Sequence, residues 1–65
     1  MKILVNGASH EIAAPTLEAA LLELGFHDRI VATAVNGEFV AAQRRSGTGL
    51  SDGDRVEILA PMQGG

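Results

Sequence analysis

The chain has 65 residues, no cysteine and a formal net charge of −3, with a sequence pI near 5.1. A chain this short supports one small domain, burying only about 60% of its unfolded surface. Without cysteine it has no disulfide, thiolate metal site or cysteine nucleophile. An acidic chain whose only aromatics are Phe26 and Phe39 lacks the basic surface and stacking platform of nucleic-acid binders, and no apolar run approaches the ~20 residues that span a bilayer. No nucleic-acid partner and no membrane partner are expected.

Lys2-Ile3-Leu4-Val5 has strand character and breaks at Asn6-Gly7, too soon for the hydrophobic region of a leader peptide. The expected location is therefore cytoplasmic, with which the lack of cysteine is compatible. Asn-Gly is the strongest short-range signal for a type I′ hairpin, with Ala8 to Ile12 as the returning strand. Pro15-Thr16 opens a helix, because Thr16 can accept from the first-turn amides and Glu18 sits favourably at the positive helix end. Leu17, Ala20, Leu21 and Leu24 fall at i, i+3, i+4 and i+7, an apolar stripe for one face. Gly25 supplies the stop, and Phe26 beyond it can fold back as the hydrophobic contact of that cap.

Val31 to Val35 is a second strand candidate ending at Asn36-Gly37, with Glu38-Phe39-Val40 returning. Gln43 to Ser51 reads as a polar connection, and its Arg44-Arg45 as a solvated loop or a contact to an acidic partner. Asp52-Gly53-Asp54 turns the chain into the last strand, Arg55 to Leu59. A helix with one apolar stripe needs one sheet face to cover. Two hairpins flanking the helix then leave the first and last strands as a parallel central pair. The expected class is α+β: a β-grasp, or ubiquitin-like, domain with a mixed five-stranded sheet packed on one main helix. The domain spans residues 1–59 and a flexible Gly-Gly tail spans residues 60–65.

Alternation directs Ile3, Val5, Val56 and Ile58 toward the helix and Leu4 and Leu59 to the open face. With Met62, whose thioether adapts to differing surfaces, Leu4 and Leu59 form a candidate docking patch. No catalytic set is evident. Ser46-Gly47-Thr48-Gly49-Leu50-Ser51-Asp52 is not a nucleotide loop, since Asp52 stands where G-x-G-x-x-G needs glycine and no helix follows. His10 and His27 lack companions at metal-ligand spacing, and Asp52 and Asp54 offer too few oxygens for a cation, so no metal site is expected. The remaining reactive group is the carboxylate of Gly65. It sits on a tail whose extended reach is about 20 Å, with Gly64 giving steric clearance beside it. A carboxylate is a poor electrophile until activated, most simply as an acyl-adenylate.

Ala34-Val35-Asn36-Gly37-Glu38-Phe39-Val40, the run Leu50 to Leu59 with Asp52-Gly53-Asp54, and Pro61-Met62-Gln63-Gly64-Gly65 together resemble the ThiS family of thiamine-biosynthesis sulfur carriers. The resemblance covers the whole chain. It implies a carrier rather than an enzyme, with no bound cofactor. An E1-like, ThiF-like adenylyltransferase would use ATP and Mg²⁺ to adenylate Gly65. A sulfurtransferase system would convert the adenylate to a thiocarboxylate, and a ThiG-like thiazole synthase would accept the sulfur for the thiazole ring of thiamine. Two alternatives stay open at this point: a carrier for molybdopterin synthesis or another thiolation route, and a β-grasp binding module without covalent chemistry.

Overall fold

The computed structural model describes residues 1–26 and 30–60. Its elements are β1 (Lys2–Val5), β2 (Ala8–Glu11), helix α1 (Leu17–Glu23), β3 (Ala32–Val35), β4 (Glu38–Val40), a 3₁₀ helix at Ala42–Gly47 and β5 (Arg55–Leu59). The strands form one mixed sheet in the order β2-β1-β5-β3-β4, with β1 and β5 parallel and the other pairs antiparallel. This is the β-grasp architecture expected from the sequence.

Local chemistry accounts for most of the boundaries. Asn6 and Asn36 adopt φ of 50° and 52°, and Gly7 and Gly37 follow at 86° and 87°, the left-handed pairs that a type I′ turn requires. The Thr16 side chain accepts from the Ala19 amide at 3.2 Å. At the other end of α1, Phe26 N–H donates to Leu21 and Gly25 N–H to Leu22, with Gly25 at φ 90°. That is a Schellman closure, and Phe26 packs back on the core as its hydrophobic partner. Glu23 has a role that sequence reading missed: its carboxylate accepts from the amides of Ala13 and Ala14, tying the loop before α1 to the helix end.

The core is one cluster between α1 and the sheet. Ile3, Leu17 and Val56 are almost fully enclosed, with Val5, Ile12, Ala20, Leu21, Val31, Val40 and Ile58 around them. The Gln43–Ser51 connection differs from expectation, because it carries a 3₁₀ helix and its Arg45 is not a solvated side chain. Arg45 donates from Nε to Thr33 Oγ1 at 3.0 Å and from Nη2 to the Val31 carbonyl at 2.5 Å. Thr33, itself buried, donates onward to the Val40 carbonyl at 2.8 Å. The half-buried Arg45 side chain thus ties the 3₁₀ helix to Val31 and to Thr33 of β3, while Arg44 stays exposed.

Two charged groups bias the native state with pH. Asp54 accepts from Asn36 Nδ2 at 3.0 Å and from the Ser51 amide at 2.8 Å, and these bonds hold its carboxyl below the ordinary 3.8. The Met1 amine, hydrogen-bonded by Glu11, is raised above 8.0. A depressed acid stabilises above its unfolded value and a raised amine below its own. Stability is therefore expected to fall as pH drops through and below about 4 and again as it rises past about 8. Thermal melts across pH check this, and Asp54→Asn should flatten the acid limb alone.

Candidate functional site

The site is built around β5, the strand from which the chain leaves the sheet. Val56 and Ile58 point into the core, so Arg55, Glu57 and Leu59 occupy the open face. The antiparallel register sets Ala32 beside Leu59 and Ala34 beside Glu57, and Ala34 in turn lies beside Phe39 on β4. Two alanines on β3 leave a trough between larger neighbours. It has a volume of about 490 Å³ and is lined by Asn6, Gly7, Ala32, Ala34, Phe39, Glu57 and Leu59 among others. Phe39 is 73% exposed and Leu59 68% exposed. Two large apolar side chains so placed, next to the point where the chain leaves the sheet, form an accessible apolar patch.

The expected docking residues divide here. Leu59 is in the trough. Leu4 is half-buried and sits opposite Arg55, the far end of β5 from Leu59, about 13 Å away at ~3.3 Å per residue. The open-face neighbour of Leu59 is thus Phe39, which sequence reading placed in a returning strand without assigning its face. The signal was present: if Val40 is buried, strand alternation turns Phe39 outward. Met62, Gly64 and Gly65 lie outside the described residues, as does His27.

Among the described residues no cluster of three or more His, Cys, Asp or Glu could hold a metal. His10 lies exposed on the edge strand β2. The carboxylates of the Asp52-Gly53-Asp54 turn are engaged by hydrogen bonds within the domain, from the Lys2 and Ser51 amides and the Asn36 side chain. Asp52 Oδ1 accepts from the Lys2 amide at 2.7 Å, the Asp54 carbonyl accepts from Leu4, and Gly53, at φ 89°, donates to the Lys2 carbonyl at 2.7 Å. No buried side-chain polar atom among the described residues lacks a partner, so none is left waiting for a ligand. No helix among the described residues is long and apolar enough to cross a membrane.

Proteins of known structure share this fold. The chain is 30% identical to a thiamine biosynthesis protein (ThiS) from Geobacter metallireducens in its crystal structure, with a TM-score of 0.76 and full coverage of both chains. A solution NMR structure of a thiamine biosynthesis protein from the same organism aligns at 32% identity and a TM-score of 0.79, covering all of this chain and 88% of that one. A thiazole synthase of Paramagnetospirillum magneticum is 39% identical over 66 residues, which is all of this chain and 20% of that protein. The chain thus spans about a fifth of the length of that relative. The sequence pattern of the ThiS family matches residues 3–65, nearly the whole length and through the Gly64-Gly65 pair. On that match, and with the same fold, the chain belongs to the ThiS family.

Proposed function

We propose that this chain is the sulfur carrier for the thiazole ring of thiamine, with Gly65 as the carrying residue. The observation that supports the reading best is the placement of Gly64-Gly65 within the ThiS family match, with Gly65 six positions past Leu59, the last residue of β5. In this reading the Gly65 carboxylate attacks the α-phosphate of ATP on an E1-like, ThiF-like adenylyltransferase, with Mg²⁺ there and pyrophosphate leaving. Sulfide-level sulfur delivered by a sulfurtransferase system then displaces AMP at the carbonyl carbon, losing its proton, and leaves a thiocarboxylate. A ThiG-like thiazole synthase accepts that sulfur. A thiazole synthase that contains a segment similar to this entire chain favours such a partner. Gly64 keeps the approach to the carbonyl free of side chains.

The test is intact mass after incubation with adenylyltransferase, ATP and a sulfur donor. The expected result is the mass of one oxygen-to-sulfur exchange, dependent on ATP. Oxidation of Met1 or Met62 adds an oxygen and gives nearly the same nominal shift, so fragmentation must place the change on Gly65. The same spectra establish whether Gly65 is the terminal residue. Absence of any ATP-dependent change would leave a non-covalent β-grasp binding module as the reading.

Leu59, Phe39 and the Ala32–Ala34 trough are the proposed docking surface for both partners, with Leu4 at its margin and Met62, three positions after Leu59 in sequence, proposed to join it. Phe39 and Leu59 supply the large apolar area that burial against a partner would remove from water. Leu59→Asp and Phe39→Asp are each expected to weaken partner binding by about tenfold or more, roughly 1.4 kcal/mol, with the melting temperature little changed. Leu4→Asp should weaken it less. Titration calorimetry showing wild-type affinity for both trough variants would remove this face from the interface.

A further inference from the structure

The two Asn-Gly turns do more than reverse the chain. Each projects its asparagine carboxamide onto the backbone of β5, one at each end of that strand. At the start of β5, Arg55 N–H donates to Asn36 Oδ1 at 2.9 Å and Asn36 Nδ2 donates to Asp54 Oδ1 at 3.0 Å. Near its end, Ile58 N–H donates to Asn6 Oδ1 at 2.9 Å and Asn6 Nδ2 donates to the Ile58 carbonyl at 3.0 Å.

The second pair closes a gap in the sheet. β1 ends at Val5, level with Val56, and its last main-chain bond to β5 runs from Asn6 N–H to the Val56 carbonyl at 2.9 Å. The chain then turns away at Asn6-Gly7, while β5 continues to Leu59. Beyond Val56 the β1 side of β5 has no further strand residue to pair with. A carboxamide offers one acceptor and up to two donors in a plane, as a peptide group does, and Asn6 uses it to satisfy both Ile58 groups. With β3 alongside on the other flank, Thr33 opposite Ile58 and Ala32 opposite Leu59, the end of β5 is flanked on both sides.

We propose that Asn6 is a positioning residue that fixes the root from which Gly65 is delivered. This rests on the carrier reading above. Seven positions separate Ile58 from Gly65, and delivery to a fixed reaction site depends on the length and slack of the connecting chain. If Asn6 lets go, β5 frays on one flank. The chain then leaves the sheet before Ile58, and the effective concentration of the Gly65 carboxylate at a docked partner's site drops.

Asn6→Gly and Asn36→Gly form a matched pair. Glycine accepts the φ near +50° at either turn, so each variant keeps its turn and loses its carboxamide, at opposite ends of one strand. Asn6→Asp is the second variant. It tolerates the same φ but sets a carboxylate oxygen against the Ile58 carbonyl. Two readouts apply, both well below the melting temperature of every variant: hydrogen exchange of the Ile58 amide, and kcat/KM for ATP-dependent loading. Both Asn6 variants are expected to speed Ile58 exchange and to lower loading on the order of tenfold, with Asn36→Gly close to wild type in both. Unchanged Ile58 exchange in the Asn6 variants, wild-type loading by them, or equal slowing by Asn36→Gly would overturn the proposal. Should the wild-type protein take no sulfur, the carrier reading fails, and the clamp is then decided by Ile58 exchange alone.

Discussion

Deleting Gly65 is expected to abolish sulfur loading rather than slow it. A chain shortened by one residue withdraws its terminal carboxylate by about 3.5 Å, while reaction needs the attacking oxygen and the phosphorus within about 3–3.5 Å. The sheet cannot follow to restore the distance. β5 is paired on both flanks, Leu59 to Ala32 on one side and Ile58 to the Asn6 carboxamide on the other, so recovering one residue of reach means breaking those bonds. Replacement of Gly65 by alanine preserves the length and is expected to load more slowly, because only the added methyl obstructs the carbonyl. Single-turnover loading, followed by mass with the change placed by fragmentation, separates the cases. Sulfur on a protein that lacks Gly65 would sink the proposed chemistry.

Leu17→Ala is expected to cost about 2–5 kcal/mol, the range for emptying an enclosed leucine site. Leu17 has no exposed side-chain surface. It is the first residue of α1 and is fixed by two elements at once: its amide donates to the Thr48 carbonyl at 2.8 Å, and its side chain lies in the cluster with Ile3 and Val56. A site held from both sides collapses poorly around a void, which favours the upper part of that range. A domain of this size has roughly 3–10 kcal/mol in total at about 0.05–0.15 kcal/mol per residue, so this single change removes a large share of it. The melting temperature should fall by about 4–8 °C for each kcal/mol lost. Leu22→Ala, on the same helix but 57% exposed, is the control and should stay within about 0.5 kcal/mol. Equal shifts in the two variants would contradict the packing described above.

The helix and both hairpins were legible because their signals are local. Thr16, the 17-20-21-24 stripe and the Gly25-Phe26 closure act within a few residues of one another, and Asn6-Gly7 and Asn36-Gly37 impose their turns through their own φ preferences. Strand alternation likewise sorted Ile3, Val5, Val56 and Ile58 from Leu4 and Leu59. The Gln43–Ser51 segment was misread because nothing local marks it. Its 3₁₀ turns close through local bonds such as Arg44 N–H to the Ala41 carbonyl, but the segment is anchored by distant residues: Arg45 to Val31 and Thr33, and Gly49 bridging Thr16. Polar composition suggests a solvated loop, yet a guanidinium with two oxygen acceptors can be drawn into the edge of a small core.

By itself the sequence determined the element order, the β-grasp class, the composition of the core and the Gly64-Gly65 pair past the last strand. Each depends on residue type and spacing along the chain. Only the tertiary structure decided which open-face residues share a patch and what holds the end of β5. Leu59 meets Phe39 across two alanines and is set apart from Leu4 because the strand registers place them so. Asn6 reaches Ile58, 52 positions away in sequence, because β1 ends level with Val56 and the Asn6 carboxamide stands in for the main-chain partners that Ile58 lacks on that side. The Ala34–Phe39 register follows from the Asn36-Gly37 turn, whereas the β1–β5 and β3–β5 registers join strands far apart in sequence that only burial of the shared core brings together.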